Sequence, residues 1–268
     1  MKNEEYVNKA FSAQSPVFDG IQHASPMLEW MRSVVHRHMD GALKAGDSIL
    51  DINAGTGIDA MYFASKGHRV HAMDIAEGMV ARIREKIAQH GLTTVTTEQR
   101  SYQDAAGLAP QRFDHIFSNF GGLNCVPDLR PIAEQLTAVL APGGLITMVI
   151  MPKFCPWEVL QIVRGDLDVA FRRLHPNGVM AHIEGVWFRT WYHSVRDVRR
   201  AFGGRFELYS LRGAASLSPP PTMEKFPRQL PKLYSFLQRL DEQFCEVPPF
   251  DRWADQFIIT LRQRSAEE

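Results

Sequence analysis

Two carboxylates and the turn between them carry the clearest chemistry in this 268-residue chain. Ser48 to Ile52 is a short apolar run holding Asp51, and Asn53, Ala54, Gly55, Thr56 and Gly57 follow as a turn. The glycines let backbone N–H groups approach a ligand with no Cβ in the way. A helix is predicted over Ile58 to Lys66, with Gly67 as its terminator. Arg69 to Met73 then alternates as a second strand, and Asp74 stands at its end, 23 positions after Asp51. A glycine turn, a helix N-terminus and an acid about 20 residues further on form the arrangement that binds nucleotides, the acid accepting ribose hydroxyls. Read from Gly55, the turn G-T-G-I-D-A matches a dinucleotide fingerprint, so nicotinamide-dependent redox chemistry is one alternative. Charge decides against it. Asp51 at the mouth of the turn repels a pyrophosphate and suits a cofactor presenting an ammonium and a sulfonium.

Read from Asp51, D-I-N-A-G-T-G resembles the D-x-G-x-G-x-G motif of class I S-adenosylmethionine-dependent methyltransferases, with Asn53 where the first glycine is usual. Asn tolerates a left-handed backbone, so the turn is expected to survive. The resemblance implies S-adenosylmethionine as cofactor and S-adenosylhomocysteine as product. The cofactor contacts it implies are Asp51, Asn53, Ala54, Gly55, Gly57, Asp74, Ile75 and Met79. It also implies a second acid loop, Ser101-Tyr102-Gln103-Asp104, in which Gln103 and Asp104 meet the adenine. The fourth strand, Phe113 to Phe120, would end where cofactor and substrate meet, Ser118 and Asn119 on the cofactor and Phe120 on the substrate. The L-x-P-G-G of Leu140 to Gly144, ahead of a fifth strand from Leu145 to Met151, resembles the family as well. The likeness covers Ile49 to Met151.

Elements between these motifs follow from periodicity. Met27 to Asp40 is an amphipathic helix with the stripe Leu28, Met31, Val34, Val35 and Met39, and a second runs from Glu77 to His90. Val95 to Arg100 reads as the third strand, and Asp128 to Leu140 as a turn and helix. Alternating strands and helices predict an α/β fold: a doubly wound, mostly parallel seven-stranded sheet with its last strand antiparallel. Residues 1–45 are expected to form a helical N-terminal lid; the resemblance implies that an aromatic of this segment, which holds Tyr6, Phe11 and Phe18, contacts the cofactor, while anchoring the segment to the core is the commoner use of such residues. Residues 46–151 form the cofactor core of this single domain. Two cap-like insertions follow, 152–193 and 212–255, the second with a helix whose apolar stripe is Leu233, Phe236, Leu237, Leu240 and Phe244. Between them Ser194 caps a helix to Phe202 and Arg205 to Leu211 is the sixth strand; Gln256 to Leu261 is the seventh.

The insertions are expected to close an aromatic-lined pocket, or else to form a homodimer interface. The first carries Trp157, His175 and Tyr192 as substrate contacts, and His182, Glu184 and His193 as candidate acid–base groups. His182 and Glu184, two apart, would share a face of an extended segment. No metal is expected, since the pairs His36/His38 and His68/His71 lack further ligands.

Thirty basic and thirty acidic residues cancel, so no global field draws the chain to nucleic acid or an anionic membrane. Three scattered cysteines, Cys125, Cys155 and Cys245, suggest neither a disulfide framework nor a zinc site, and a cytoplasmic setting is expected. The expected activity is methyl transfer to an oxygen, nitrogen or carbon of a small molecule. The alternative within the same cofactor class is an S-adenosylmethionine-binding protein with a regulatory or non-methylating role.

Overall fold

The computed structural model describes residues 2–264. Three helices lead the chain, α1 (Lys2–Gln14), α2 (Phe18–Ala24) and α3 (Pro26–Ala42). Ser25 sets the start of α3: its side chain accepts the Leu28 N–H, and Pro26 occupies the first turn. The buried stripe is Met27, Met31, Val34, Val35 and Met39, with Met27 rather than Leu28 at its head. The core then alternates through β1 (Ser48–Asp51), α4 (Ile58–Ser65), β2 (Arg69–Asp74), α5 (Glu77–His90), β3 (Val95–Gln99), β4 (Phe113–Ser118), α6 (Arg130–Val139) and β5 (Leu140–Ile150). Gly91 ends α5 at φ 59°, a left-handed cap that a Cβ would disfavour.

After β5 come α7 (Pro156–Val159), α8 (Leu167–Phe171), the hairpin β6 (Val179–Ile183) and β7 (Val186–Thr190), and α9 (Val195–Phe202). The chain closes with β8 (Phe206–Ala214), α10 (Phe226–Gln229), α11 (Pro231–Phe244) and β9 (Gln256–Gln263). Seven strands form one sheet in the order β3-β2-β1-β4-β5-β9-β8. The first five are parallel; β9 lies antiparallel between β5 and β8. Strand order reverses between β1 and β4, the place where a crevice opens at the carboxyl ends of a doubly wound sheet. Among the described residues no helix is long and apolar enough to cross a membrane.

Three elements differ from the sequence expectation. Strand β5 begins at Leu140, ahead of the Pro-Gly-Gly turn: Phe113 pairs with Leu140 and His115 with Leu145, so residues 141–144 bulge out of a continuous strand. Strand β8 runs on to Ala214 because β9 offers partners as far as Gln256. On α11 the buried side chains are Tyr234 and Asp241, whereas Leu233 and Phe236 of the apolar stripe are exposed. The Asp241 carboxylate accepts the N–H groups of Ser216, Leu217 and Ser218 at 2.7–3.0 Å. A buried carboxylate needs such donors, and satisfying it sets the rotation of the helix.

Arg173 bolts the first insertion to the start of β9. Its guanidinium, buried, donates to Glu158 at 2.6 Å, to the Asp255 carboxylate at 2.7 Å and to the Asp255 carbonyl at 2.9 Å, and lies over the Tyr192 ring at 5.1 Å. Cys155, Glu158 and Asp255 place their ligand atoms within 4.8 Å of one another, a spacing a metal could bridge. Arg173 already meets both carboxylates there. Replacing it would leave two buried acids without their shared cation. Arg173→Ala is therefore expected to destabilise the fold by about 3–5 kcal/mol, read as a lowered urea midpoint.

Candidate functional site

The carboxyl ends of β1, β2 and β4 converge on a cavity of about 300 Å³, roofed by α1 and α2. Its floor is the turn after β1. Gly55 (φ 56°) and Gly57 (φ 81°) take left-handed conformations, and the Phe18 ring lies 3.7 Å from where a Gly55 Cβ would sit. Asn53 does not take the left-handed backbone expected of it. Its amide instead donates to the Asn119 carbonyl at 2.8 Å and accepts from Ser118 Oγ at 2.6 Å, tying the ends of β1 and β4 together. The amide sits where a Gly122 Cβ would project, so the glycine missing from the turn is matched by a glycine across the crevice.

Three acids crowd this floor. Asp74 accepts the N–H groups of Gly55 and Ala76, each at 2.8 Å. Asp59, in the first turn of α4, receives Arg32 at 2.5 Å, His36 at 2.7 Å and the Asn119 amide at 2.9 Å. Asp51 is buried with neither carboxylate oxygen hydrogen-bonded among the described residues. Burial, aided by the charges of Asp59 and Asp74, raises its carboxyl well above the ordinary range. Burial likewise pushes Asp74 up to about 6 against the two N–H groups that favour its charge. Asp59 pays the same desolvation, yet Arg32 and His36 hold it well below the usual value. Three carboxyl groups thus cluster around the floor of the crevice, and Arg32 pairs with one of them, Asp59.

The lid is held by polar ties along its length. Asn3 Nδ2 donates to the carbonyls of Cys125 and Arg189 at 2.9 and 3.0 Å, and Glu4 accepts from Ser101 Oγ. Ser12 Oγ accepts the Gly78 N–H at 3.2 Å, and Asp19 meets Thr56 Oγ1 and Lys86 Nζ. Phe11 and Phe18 look into the cavity, and Phe11 also meets Phe188 of β7 at 5.7 Å between centroids.

Of the residues singled out from sequence, Asn53, Ala54, Gly55, Asp74, Ile75, Met79, Asn119 and Phe120 line the cavity. Asp51, Gly57 and Ser118 are buried and do not line it, although they belong to the same turn and strand ends. Gln103 and Asp104 stand outside: both are exposed, and Asp104 pairs with Arg100. The preceding Ser101 and Tyr102 take the wall instead, because Ser101 caps the following turn and sends the chain away. The acid–base candidates are not brought to the crevice. His182 is exposed against Trp187 at 4.6 Å, and Glu184 is not on a strand but in the hairpin turn at φ 46°. His193 is buried and bonded to the Val126 carbonyl at 2.9 Å. With His175 and Tyr192 it borders a separate cavity beside Arg173, and Trp157 donates to the Leu217 carbonyl, joining the two insertions. No residue of either insertion lines the crevice among those described, so its aromatic walls come from the lid, Tyr102 and Phe120.

Sequence reasoning missed Arg32, Asp59, Gln22, Glu4 and Cys125. Asp59 alone had a local signal, an acid in the first turn of the helix that follows the glycines. Burial pushes the Cys125 thiol up to about 12, so it is a neutral wall group.

Fold and crevice together define a doubly wound α/β protein with an acid-lined cavity at its switch point. Residues 49–144 match the methyltransferase domain family. The chain is 32% identical over 145 residues to a malonyl-[acyl-carrier protein] O-methyltransferase of Serratia marcescens, covering 54% of this chain and 52% of that protein. It is 33% identical over 107 residues to an S-adenosyl-L-methionine-dependent Diels-Alderase of a Neonectria species, 39% of this chain and 38% of that protein. The match thus spans about half or less of these relatives. A Burkholderia thailandensis 1,6-didemethyltoxoflavin-N1-methyltransferase, solved with its substrate and S-adenosylhomocysteine, shares the fold at TM-score 0.58 and 15% identity, over 97% of this chain and 88% of that one.

The crevice acids give the site a pH dependence with a definite sign. A cation binds the charged carboxylates, so binding lowers their pKa and releases protons. Cofactor affinity should hold above the raised value of Asp74 and fall as pH drops through about 6. The loss would be at most about tenfold per pH unit for each coupled proton. Calorimetric titration with S-adenosylmethionine in buffers of different ionisation enthalpy measures both affinity and protons released; affinity rising at acid pH would contradict this electrostatic account.

Proposed function

We propose that this chain binds S-adenosylmethionine in the crevice and transfers its methyl group to a small acceptor. The carrying observation is Asp51, a buried carboxylate without a hydrogen-bond partner beside two further acids. Such a group is unfavourable unless a cation meets it, and an ammonium–sulfonium ligand supplies one. In this reading Asp51 and the turn Asn53 to Gly57 hold the amino-acid end. Asp74, Ile75 and Met79 hold the ribose side, and Ser101 and Tyr102 the base. The bound cofactor supplies an electrophilic methyl group for in-line displacement.

What the chain's own residues contribute is alignment and dryness. Phe11, Phe18 and Phe120 wall the crevice with aromatic surface, and the polar ties of α1 and α2 keep water out while closed. Arg32, over the Phe120 ring at 4.6 Å and fixed by Asp59 and Gln22, orders the end of the crevice away from Asp74. No histidine lines the cavity among the described residues. Transfer therefore rests on positioning, and the acceptor brings its own nucleophilicity, as an enol, a phenol or an amine can.

A second reading is favoured by the Neonectria relative: the same crevice holds the cofactor while another reaction runs beside the sulfonium. Incubation with S-adenosylmethionine and a panel of oxygen, nitrogen and carbon nucleophiles, followed by chromatography of S-adenosylhomocysteine, separates the two. Stoichiometric release supports methyl transfer; acceptor turnover without release supports the second. In either case Asp51→Asn, which keeps the shape and removes the charge, should weaken S-adenosylmethionine binding by about tenfold or more, near 1.4 kcal/mol. His182→Ala should leave it unchanged. Unaltered binding by the Asp51 variant would remove the basis of the proposal.

A further inference from the structure

A second cleft, of about 760 Å³, lies between α9 and the β8–β9 end of the sheet and shares no lining residue with the crevice. Its walls come from four separate chain segments: Lys153 and Phe154 after β5, α9, the loop carrying Arg252 and Trp253, and Arg264 beyond β9. Six cations border it, Lys153, Arg196, Arg199, Arg200, Arg252 and Arg264. Two have acidic partners, Lys153 with Asp197 at 2.7 Å and Arg252 with Asp251 at 2.7 Å. The other four make no ion pair among the described residues. Arg196, Arg199 and Arg200 follow the i, i+3, i+4 spacing on α9, which crowds like charges on one helix face at a cost to the helix.

A chain with zero formal net charge has no compositional reason to gather cations there. The floor is apolar, with buried Phe202, Phe206 and Leu261. At the side, Trp253 is 44% exposed and leans on Phe154 at 4.7 Å between centroids. Five of the six cations are arginines, whose planar forks match phosphate oxygens in pairs, and an exposed indole gives a base a surface to stack on. The concave shape and volume are those of small-ligand sites rather than of a flat macromolecular face.

We propose that this cleft binds a nucleotide, its phosphates on the α9 arginines and Arg264 and its base against Trp253. The site is separate from the crevice and does not depend on what reaction the crevice carries out.

The test is titration of the full chain with ATP at about 0.1 M salt without added magnesium, followed by calorimetry. Saturable binding that an excess of S-adenosylhomocysteine does not displace is expected. The variant Arg196→Gln, Arg199→Gln, Arg200→Gln keeps good helix formers and the Ser194 cap, and should bind ATP at least about tenfold more weakly. Arg264→Gln, outside any helix or strand, should weaken it several-fold should the triple variant not fold. Trp253→Ala should weaken ATP while leaving inorganic tripolyphosphate unchanged. No saturation up to about 1 mM, displacement by S-adenosylhomocysteine, or unchanged affinity in the arginine variants would overturn the proposal. Tripolyphosphate binding as tightly as ATP, or a single-stranded oligonucleotide binding far more tightly, would overturn the nucleotide assignment.

Discussion

The constraint on which this structure turns is negative charge held out of water at the point where the sheet reverses its winding. Asp51, Asp59 and Asp74 converge there from the end of β1, the first turn of α4 and the end of β2. Only one is fully answered within the protein. Asp59 takes Arg32, His36 and Asn119, while Asp74 has two backbone N–H groups and Asp51 has no hydrogen-bond partner among the described residues. Leaving a buried acid unanswered is costly, and the remedy open to an unliganded protein is to keep it protonated. Burial moves both Asp51 and Asp74 in that direction, Asp51 the further. A cationic ligand offers the other remedy, which makes binding and ionisation two aspects of one equilibrium.

The scaffold around that charge is rigid where it must be and detachable where it can be. Asn53 and Gly122 interlock across the crevice, so the ends of β1 and β4 move together. The roof is different in kind. Helices α1 and α2 are held by side-chain hydrogen bonds and ion pairs at Asn3, Glu4, Ser12 and Asp19, with a small apolar contact at Val7, Ala10 and Phe188. Such ties exchange readily with water, whereas the strand ends are locked by buried packing. The first insertion contributes no wall residue among those described and meets the crevice indirectly, through the β6–β7 hairpin packed on α1 and through Trp191, whose N–H donates to the Asn124 carbonyl at 2.7 Å.

The insertions themselves follow a different logic from the one their aromatic residues suggested. Trp157 and Tyr192 are spent on internal joints, the first reaching the Leu217 carbonyl and the second lying beneath Arg173. Arg173 and Asp241 are buried charges whose partners come from distant segments, and each fixes the placement of a loop that lacks a strong core of its own. Charge is also redistributed by folding. A balanced composition becomes a crevice dominated by acids and, beyond β5, a cleft dominated by arginines.

Much of the core was legible from local pattern, because a strand's alternation, a glycine turn and a cap are decided within a few residues of one another. The Asp51 to Gly57 turn, Asp74, the α9 cap at Ser194 and the doubly wound order all follow from such short-range signals. What the tertiary structure alone decided involves partners far apart in the chain. Arg32 meets Asp59 across 27 positions and Asn53 meets Asn119 across 66, and no periodicity announces either. The His182–Glu184 spacing implied a shared face only on an extended segment, and the chain turns at Glu184 instead. Asp104 loses its expected role because Arg100 captures it and Ser101 redirects the backbone. Sequence by itself determined which residues are able to carry charge and bend the chain. Burial and long-range pairing, which exist only once the sheet has assembled, determined which of those charges remain unanswered and therefore available to a ligand.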